Sequence, residues 1–248
     1  MNDKLKDDSV QMRMYHNYIK GVLLEQVSNS GKTLLDIGVG RGGDLHKWNR
    51  YGITKVVGVD VNEIYIKDAI KRCKSSKYRK DYKFYVINGI DDIKYGVFDN
   101  VSCMFAFHYF CCNNEVLECI LKKISESLKD GGYFVGTVPD GEYISKLQYK
   151  NNVYKNQAGC IKREYKNICK IGDRIKFALS GTLYFGDSSV STEYLVFKEK
   201  VQEVAKKYGL SLIFWKGFNE YHTTKYNMNE DFKVMSYLNA AFMFKKIS

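Results

Sequence analysis

Leu34-Leu35-Asp36-Ile37-Gly38-Val39-Gly40-Arg41-Gly42-Gly43-Asp44 is an apolar run that stops at a cluster of glycines. A short apolar run bounded by glycines reads as a buried strand entering a tight turn, and a helix is expected from Gly43 to about Arg50. Glycine belongs where the backbone turns sharply or where a ligand must approach the main chain closely. Four glycines between positions 38 and 43 cost backbone entropy for no packing gain. A bare turn explains them poorly, and a nucleoside-containing ligand explains them well. Asp60 follows Gly38 by twenty-two residues, at the end of a second expected strand, where a carboxylate can accept hydrogen bonds from both hydroxyls of a ribose. Gly38, Gly40 and Gly43 also satisfy the dinucleotide pattern GxGxxG, so spacing alone leaves the cofactor open.

Working outward, apolar residues at helical spacing predict a helix over Met12–Val27, and Lys32–Ile37 is the strand that feeds the glycines. A strand Lys55–Asp60 and a helix Glu63–Cys73 complete a right-handed βαβ unit. Further strands are expected at Tyr82–Ile87, Asn100–Phe105 and Tyr133–Val138, with a helix over Asn114–Leu128. Beyond Pro139 the pattern becomes β-rich: strands Arg174–Leu183, Ser211–Trp215 and Ala240–Lys245 flank a helix Lys198–Tyr208. The fold class is α/β, a mostly parallel sheet ending in an antiparallel hairpin, with helices on both faces.

The chain has 248 residues, 45% of them hydrophobic, with no repeat and no linker rich in Pro, Gly or Ser, so a single domain over 1–248 is expected. Lys and Arg exceed Asp and Glu by 39 − 28 = 11, a balance that attracts polyanions such as nucleic acid. The seven cysteines show no paired spacing, and even the adjacent Cys111 and Cys112 read as reduced thiols rather than metal ligands. No metal is expected. The absence of a long apolar run or an apolar leader predicts no membrane association and a cytoplasmic location. Richness in Lys, Asn, Tyr and Ile with one Pro points to an AT-rich genome, viral or parasitic.

Asp36, two residues before the first glycine, completes DxGxGxG, which resembles motif I of class I methyltransferases and favours S-adenosyl-L-methionine over a dinucleotide. Four further stretches resemble the mRNA cap (guanine-N7) methyltransferase family. Gly40-Arg41-Gly42-Gly43-Asp44-Leu45-x-Lys47-Trp48 is similar to its GKGGDLxKW run, with Arg41 in place of Lys, and Asn17-Tyr18-Ile19-Lys20 is similar to NNxxK. Met104-Phe105-Ala106-Phe107-His108-Tyr109 resembles QFxxHY, with Met104 in place of Gln, and Glu193-Tyr194-Leu195-Val196 resembles E-[YF]-x-V. The Gly131–Pro139 run adds a further match.

The resemblance implies a seven-stranded Rossmann-like sheet with an antiparallel last strand. It divides the chain into an N-terminal helix over 1–30 covering the cofactor site, a cofactor-binding half over 31–139, and a cap-binding half with C-terminal strands over 140–248. Lys20, Asp36, Gly38, Gly40, Asp60, Met104 and Phe105 would hold the cofactor, with Asp91 or Asn88 contacting its adenine. Arg41, Asp44, Phe105, His108, Tyr109, Glu193 and Tyr237 would hold the cap, the register of Tyr237 being open by two residues. Arg41 would face the triphosphate, and Glu193 would accept from guanine N1–H and the exocyclic amine. Phe105, His108, Tyr109 and Glu193 would position the base, with no residue acting as acid or base and S-adenosyl-L-homocysteine as product. Capped RNA (GpppN-RNA) is the implied substrate, and triphosphatase and guanylyltransferase domains are the implied partners. The location would be a viral replication site or virion for a viral source, and the nucleus for a cellular one. The alternatives are a methyltransferase for another acceptor and an inactive cofactor-binding module of a capping complex.

Overall fold

The computed structural model describes residues 3–77, 81–91, 94–165, 170–180 and 190–247, for residues 3–6 the backbone alone. The segment ahead of the glycines is β1 (Thr33–Ile37), preceded by α1 (Asp3–Ser28) and followed by α2 (Leu45–Arg50), β2 (Lys55–Asp60), α3 (Glu63–Ser75) and β3 (Asp81–Val86). β4 (Phe98–Met104), α4 (Asn114–Glu126) and β5 (Leu128–Pro139) complete the parallel set. Leu34 and Leu35 of β1 are fully buried, one in the core on each face of the sheet.

A second group of strands follows the short α5 (Gly141–Ser145): β6 (Val153–Lys155), β7 (Gly159–Arg163), β8 (Arg174–Leu179) and β9 (Ser191–Tyr194). The chain then returns to the main sheet through α6 (Lys198–Lys207), β10 (Leu210–Gly217), α7 (Glu230–Tyr237) and β11 (Asn239–Lys246). The main sheet has seven strands in the order β10-β11-β5-β4-β1-β2-β3. β11 is antiparallel to both of its neighbours, and the β1–β5 pairs are parallel. Strand order reverses at β1, so the loops leaving β1 and β4 part there and open a crevice beyond their carboxyl ends. Both carry motifs singled out in the sequence.

The differences from the expected elements have physical causes. α1 begins at Asp3, a polar stretch with no apolar stripe to reveal it; its Asp8 carboxylate accepts from the Asn229 backbone N–H at 2.9 Å and the side-chain amide at 2.8 Å, tying it to the start of α7. The single mixed sheet expected after Pro139 is instead two sheets, because β6, β7, β8 and β9 form a separate four-stranded antiparallel sheet. Its strands have three to six residues, too short for a clear period. The expected strand Arg174–Leu183 ends as β8 at Leu179, and residues 181–183 lie outside the described residues. α5 and α7, also not expected, start at Asp140 and Asn229, whose side chains accept from backbone N–H groups of the first turn.

The small sheet stands over the crevice. Leu195, just after β9, donates its N–H to Asp173 at 3.0 Å, and an isolated bridge joins Asp140 to Val196 at the end of β5. Ile161 and Ile175 are fully buried on the face turned toward the main sheet.

Candidate active site

A cavity of about 700 Å³ lies between the carboxyl ends of β1 and β4, the N-terminal helix α1, and the small sheet. Gly38 and Gly40 form part of its floor with φ of 74° and 55°, values that favour glycine. The two do different jobs. A Cβ on Gly38 would stand 2.3 Å from that of Ala106, whereas one on Gly40 would meet nothing within 4 Å. Gly38 therefore permits close packing of β1 on β4, and Gly40 leaves room for a ligand.

The charged groups around this floor are largely paired. Asp44 accepts from Lys20 at 2.6 Å on one oxygen and from Lys47 at 2.6 Å on the other, and Lys47 also donates to Asn17 Oδ1 at 2.7 Å. Burial alone would raise the Asp44 pKa, but the two lysines outweigh it and the net shift is downward. Asp36 accepts from Ser102 Oγ at 2.5 Å, and burial with the nearby Asp44 charge pushes its pKa up to about 7. Asp60 at the end of β2 accepts from the Gly40 N–H at 2.9 Å on one oxygen and from the Asn62 N–H at 2.9 Å on the other. It is partly exposed and sits one hydrogen bond behind the cavity lining.

The other end is different in character. Phe105, immediately after β4, has a φ of 55°, a conformation that costs of order 1–3 kcal/mol outside glycine and is characteristic of ligand clamps. Its N–H donates to the Thr137 carbonyl at 2.9 Å, and its ring stacks on His16 at 5.3 Å and meets the edge of Phe218 at 5.9 Å. His108, one turn further on, lines the cavity yet is only 3% exposed, and neither ring nitrogen has a hydrogen-bond partner among the described residues. Burial lowers its pKa to about 3, so the ring is neutral. Glu193 on β9 accepts from Ser191 Oγ at 2.9 Å, and burial raises its pKa. Burial, with Glu193 as the next contributor, pushes the Tyr109 hydroxyl up to about 12.

Of the residues expected at the site, Lys20, Asp36, Gly38, Gly40, Arg41, Asp44, Met104, Phe105, His108, Tyr109 and Glu193 all line this one cavity. Asp44 does so with one oxygen engaged by Lys20 and the other by Lys47. Arg41 is half-exposed at the rim, paired with Asp68 and lying 4.6 Å over the Tyr65 ring. Asn88 and Asp91 do not line it: they close an exposed turn on each other, the Asn88 N–H donating to Asp91 Oδ2 at 2.9 Å and the Asp91 N–H to the Asn88 carbonyl at 3.0 Å. Tyr237 does not line it either. It belongs to α7 and packs edge-on against Tyr15 at 6.4 Å in a separate groove, while Asn239, two residues on, lines the cavity. Arg13, His16, His46 and Arg72 at the wall were not anticipated, since isolated basic residues on helices carry no pattern that separates a cavity wall from a solvated face.

The arrangement is that of a class I methyltransferase. A solved S-adenosylmethionine-dependent methyltransferase from Clostridium acetobutylicum superposes with a TM-score of 0.61 over 95% of this chain and 92% of its own, at 14% identity. An amino pentose methyltransferase from Micromonospora echinaspora, solved with S-adenosylmethionine bound, gives 0.58 over 94% and 91%, at 12% identity. At such identities the likeness concerns the fold.

The family is defined by sequence. The model of the mRNA (guanine-N(7))-methyltransferase domain matches residues 2–246, and the chain belongs to that family. It is 28% identical over 239 residues to the mRNA cap guanine-N(7) methyltransferase of Saccharomyces cerevisiae, covering 86% of this chain and 53% of that protein. It is 30% identical to that of Candida glabrata, covering 86% and 56%, and 29% identical to mRNA cap guanine-N(7) methyltransferase 1 of Oryza sativa subsp. japonica, covering 86% and 62%. The chain thus spans just over half the length of the two yeast proteins and somewhat more of the rice one. All three come from cellular organisms.

Proposed function

We propose that the chain methylates N7 of the guanine cap of mRNA, using S-adenosyl-L-methionine. The observation that carries this reading is the end of the cavity where Phe105, the unpartnered His108 and Glu193 converge. A buried imidazole with two idle nitrogens costs free energy unless a ligand completes it. A half-buried carboxylate facing the same space suits a base edge with two donors, which guanine has and adenine lacks.

The opposite end fits the cofactor. Open space above Gly40, the Asp60 carboxylate oriented by two backbone N–H groups, and Lys20 held by Asp44 offer a main-chain cradle, a ribose acceptor and a cation for an amino-acid carboxylate. When bound, the cofactor supplies a methyl group on a positively charged sulfur. Guanine N7 carries a free lone pair at neutral pH, so no residue has to remove a proton from it. Phe105 and His108 fix the plane of the base, and restricting its orientation can supply several kcal/mol of the barrier reduction. Glu193 interacts more strongly with the cationic methylated purine than with the neutral one, which favours the transition state over the ground state. Arg41 at the rim, with Arg72 beside it, suits the cap's phosphates.

Calorimetric titration tests the reading. GpppG and GpppA should bind and ApppA should not, because adenine presents no donor pair to Glu193. Equal affinity for all three would remove guanine recognition from this site.

A further inference from the structure

The four-stranded sheet has two faces, and the cavity uses one. Ile175, Phe177, Leu179 and Glu193 face the cavity. Side chains alternate across a strand, so Lys162 on β7 and Arg174 and Lys176 on β8 stand on the other face, where all three are exposed. Exposed Lys155 on β6 shares that face, since it pairs with Cys160, two residues before Lys162. The register then sets Lys162 directly opposite Lys176 in the antiparallel β7–β8 pair.

Glu164 is held by Arg174 at 3.4 Å and by Lys176 at 3.3 Å. The ion pairs among the described residues include neither Lys155 nor Lys162. Like charges directly opposite, with Cβ atoms about 5 Å apart, destabilise an antiparallel pair. Glu164 offsets part of this charge, and the excess carried by Lys155 and Lys162 is what an anion covering the face would neutralise.

We infer that this outer face is the track for the phosphate backbone of the RNA that follows the cap. The inference rests on the cap-methylation reading, because β8 and β9 of this sheet wall the guanine end of the cavity. RNA that leaves the cap's phosphates at the Arg41 rim passes β9, the edge strand of this sheet, to reach that face. Flexible lysines spaced over a sheet suit a backbone contacted without regard to sequence. An acidic protein segment has the same sign of charge, but the RNA is tethered to a ligand already bound next door, which raises its effective concentration at the face.

The test uses a triple variant, Lys155→Gln with Lys162→Gln and Lys176→Gln, and a control, Lys67→Gln with Lys83→Gln and Lys122→Gln. The control removes the same charge from other exposed positions. Anisotropy titrations with a capped RNA of about twenty nucleotides are run between about 50 and 200 mM salt, beside GpppG. In the sheet variant the slope of log K against log salt should flatten by about 2, three contacts at roughly 0.7 each, and low-salt affinity should fall at least about tenfold. GpppG binding and methylation should stay at the level of the unsubstituted protein, and the control should leave the RNA slope in place. An unchanged slope in the sheet variant, or an equal loss in the control, overturns the track. So does a loss of polyglutamate binding without a loss of RNA binding, which assigns the face to an acidic protein. If the unsubstituted protein neither binds nor methylates GpppG, the cap reading fails separately. Uncapped RNA of the same length then reports on the sheet alone, and equal binding by the sheet variant overturns the track as well.

Discussion

The two ends of the cavity handle polar groups in opposite ways. At the glycine end Asp44 is saturated by Lys20 and Lys47, and each oxygen of Asp60 holds a backbone N–H. At the other end both nitrogens of His108 are idle among the described residues, where Glu193 accepts from the Ser191 hydroxyl. The first end is organised by its own hydrogen bonds before any ligand arrives. The second keeps its hydrogen-bonding capacity for the ligand. Substitutions at the first end should disturb loop geometry along with cofactor binding, whereas those at the second should separate recognition from stability.

The largest expected effect is at Glu193. Glu193→Gln keeps the shape but turns an acceptor into a donor facing donors, and a lost charged hydrogen bond is worth about 1.5–3 kcal/mol. Turnover of GpppG (kcat/KM) should fall by about a hundredfold with cofactor Kd unchanged, and equal turnover would break the contrast between the two ends. Because burial raises the Glu193 pKa, cap affinity should decline with acid at a higher pH than an ordinary glutamate would impose, as protonation removes the acceptor.

Asp60→Ala should weaken cofactor binding at least about tenfold by calorimetry, from the same range per charged hydrogen bond. Asp60→Asn, which retains one acceptor, should fall between. His108→Phe makes a sharper distinction: it removes buried polar atoms with no partner, which cost about 1–3 kcal/mol, so Tm should rise while cap affinity falls. A lower Tm would mean that the ring nitrogens have partners in the free protein.

The smallest effect concerns Asp36. It holds its proton more tightly folded than unfolded, so its contribution to stability is complete below the usual aspartate range and is lost as pH rises through about 7. Asp36→Asn should therefore lose less Tm than the unsubstituted protein between pH 5 and pH 8, by about 3 °C for each ~1 kcal/mol in a chain of this size. Parallel Tm profiles would show that Asp36 is ionised throughout.

These two ends also differed in how far the sequence revealed them. The glycine end is written in one stretch, Asp36 to Asp44, where glycine spacing and apolar runs report directly on backbone geometry. The β2 boundaries, Lys55–Asp60, follow from the same logic. The guanine end draws on α1, the turn after β4, β9 and β11, and no local period links them. His108 and Glu193 were found through a family resemblance, not through spacing. Tyr237 lies on α7, an element the sequence pattern did not reveal, and the small sheet escaped because its strands are short. Asn88 and Asp91 were also named through that resemblance, which does not disclose that they satisfy each other.

The central claim is that this cavity directs a methyl group to guanine N7. Incubation with methyl-labelled S-adenosyl-L-methionine and GpppA, followed by digestion and chromatographic identification of the labelled product, tests it most directly. The account predicts label in 7-methylguanosine alone, and its loss in Glu193→Gln while cofactor binding persists. Label on a ribose or on adenine, or tight cofactor binding with no transfer to either cap analogue, would contradict it.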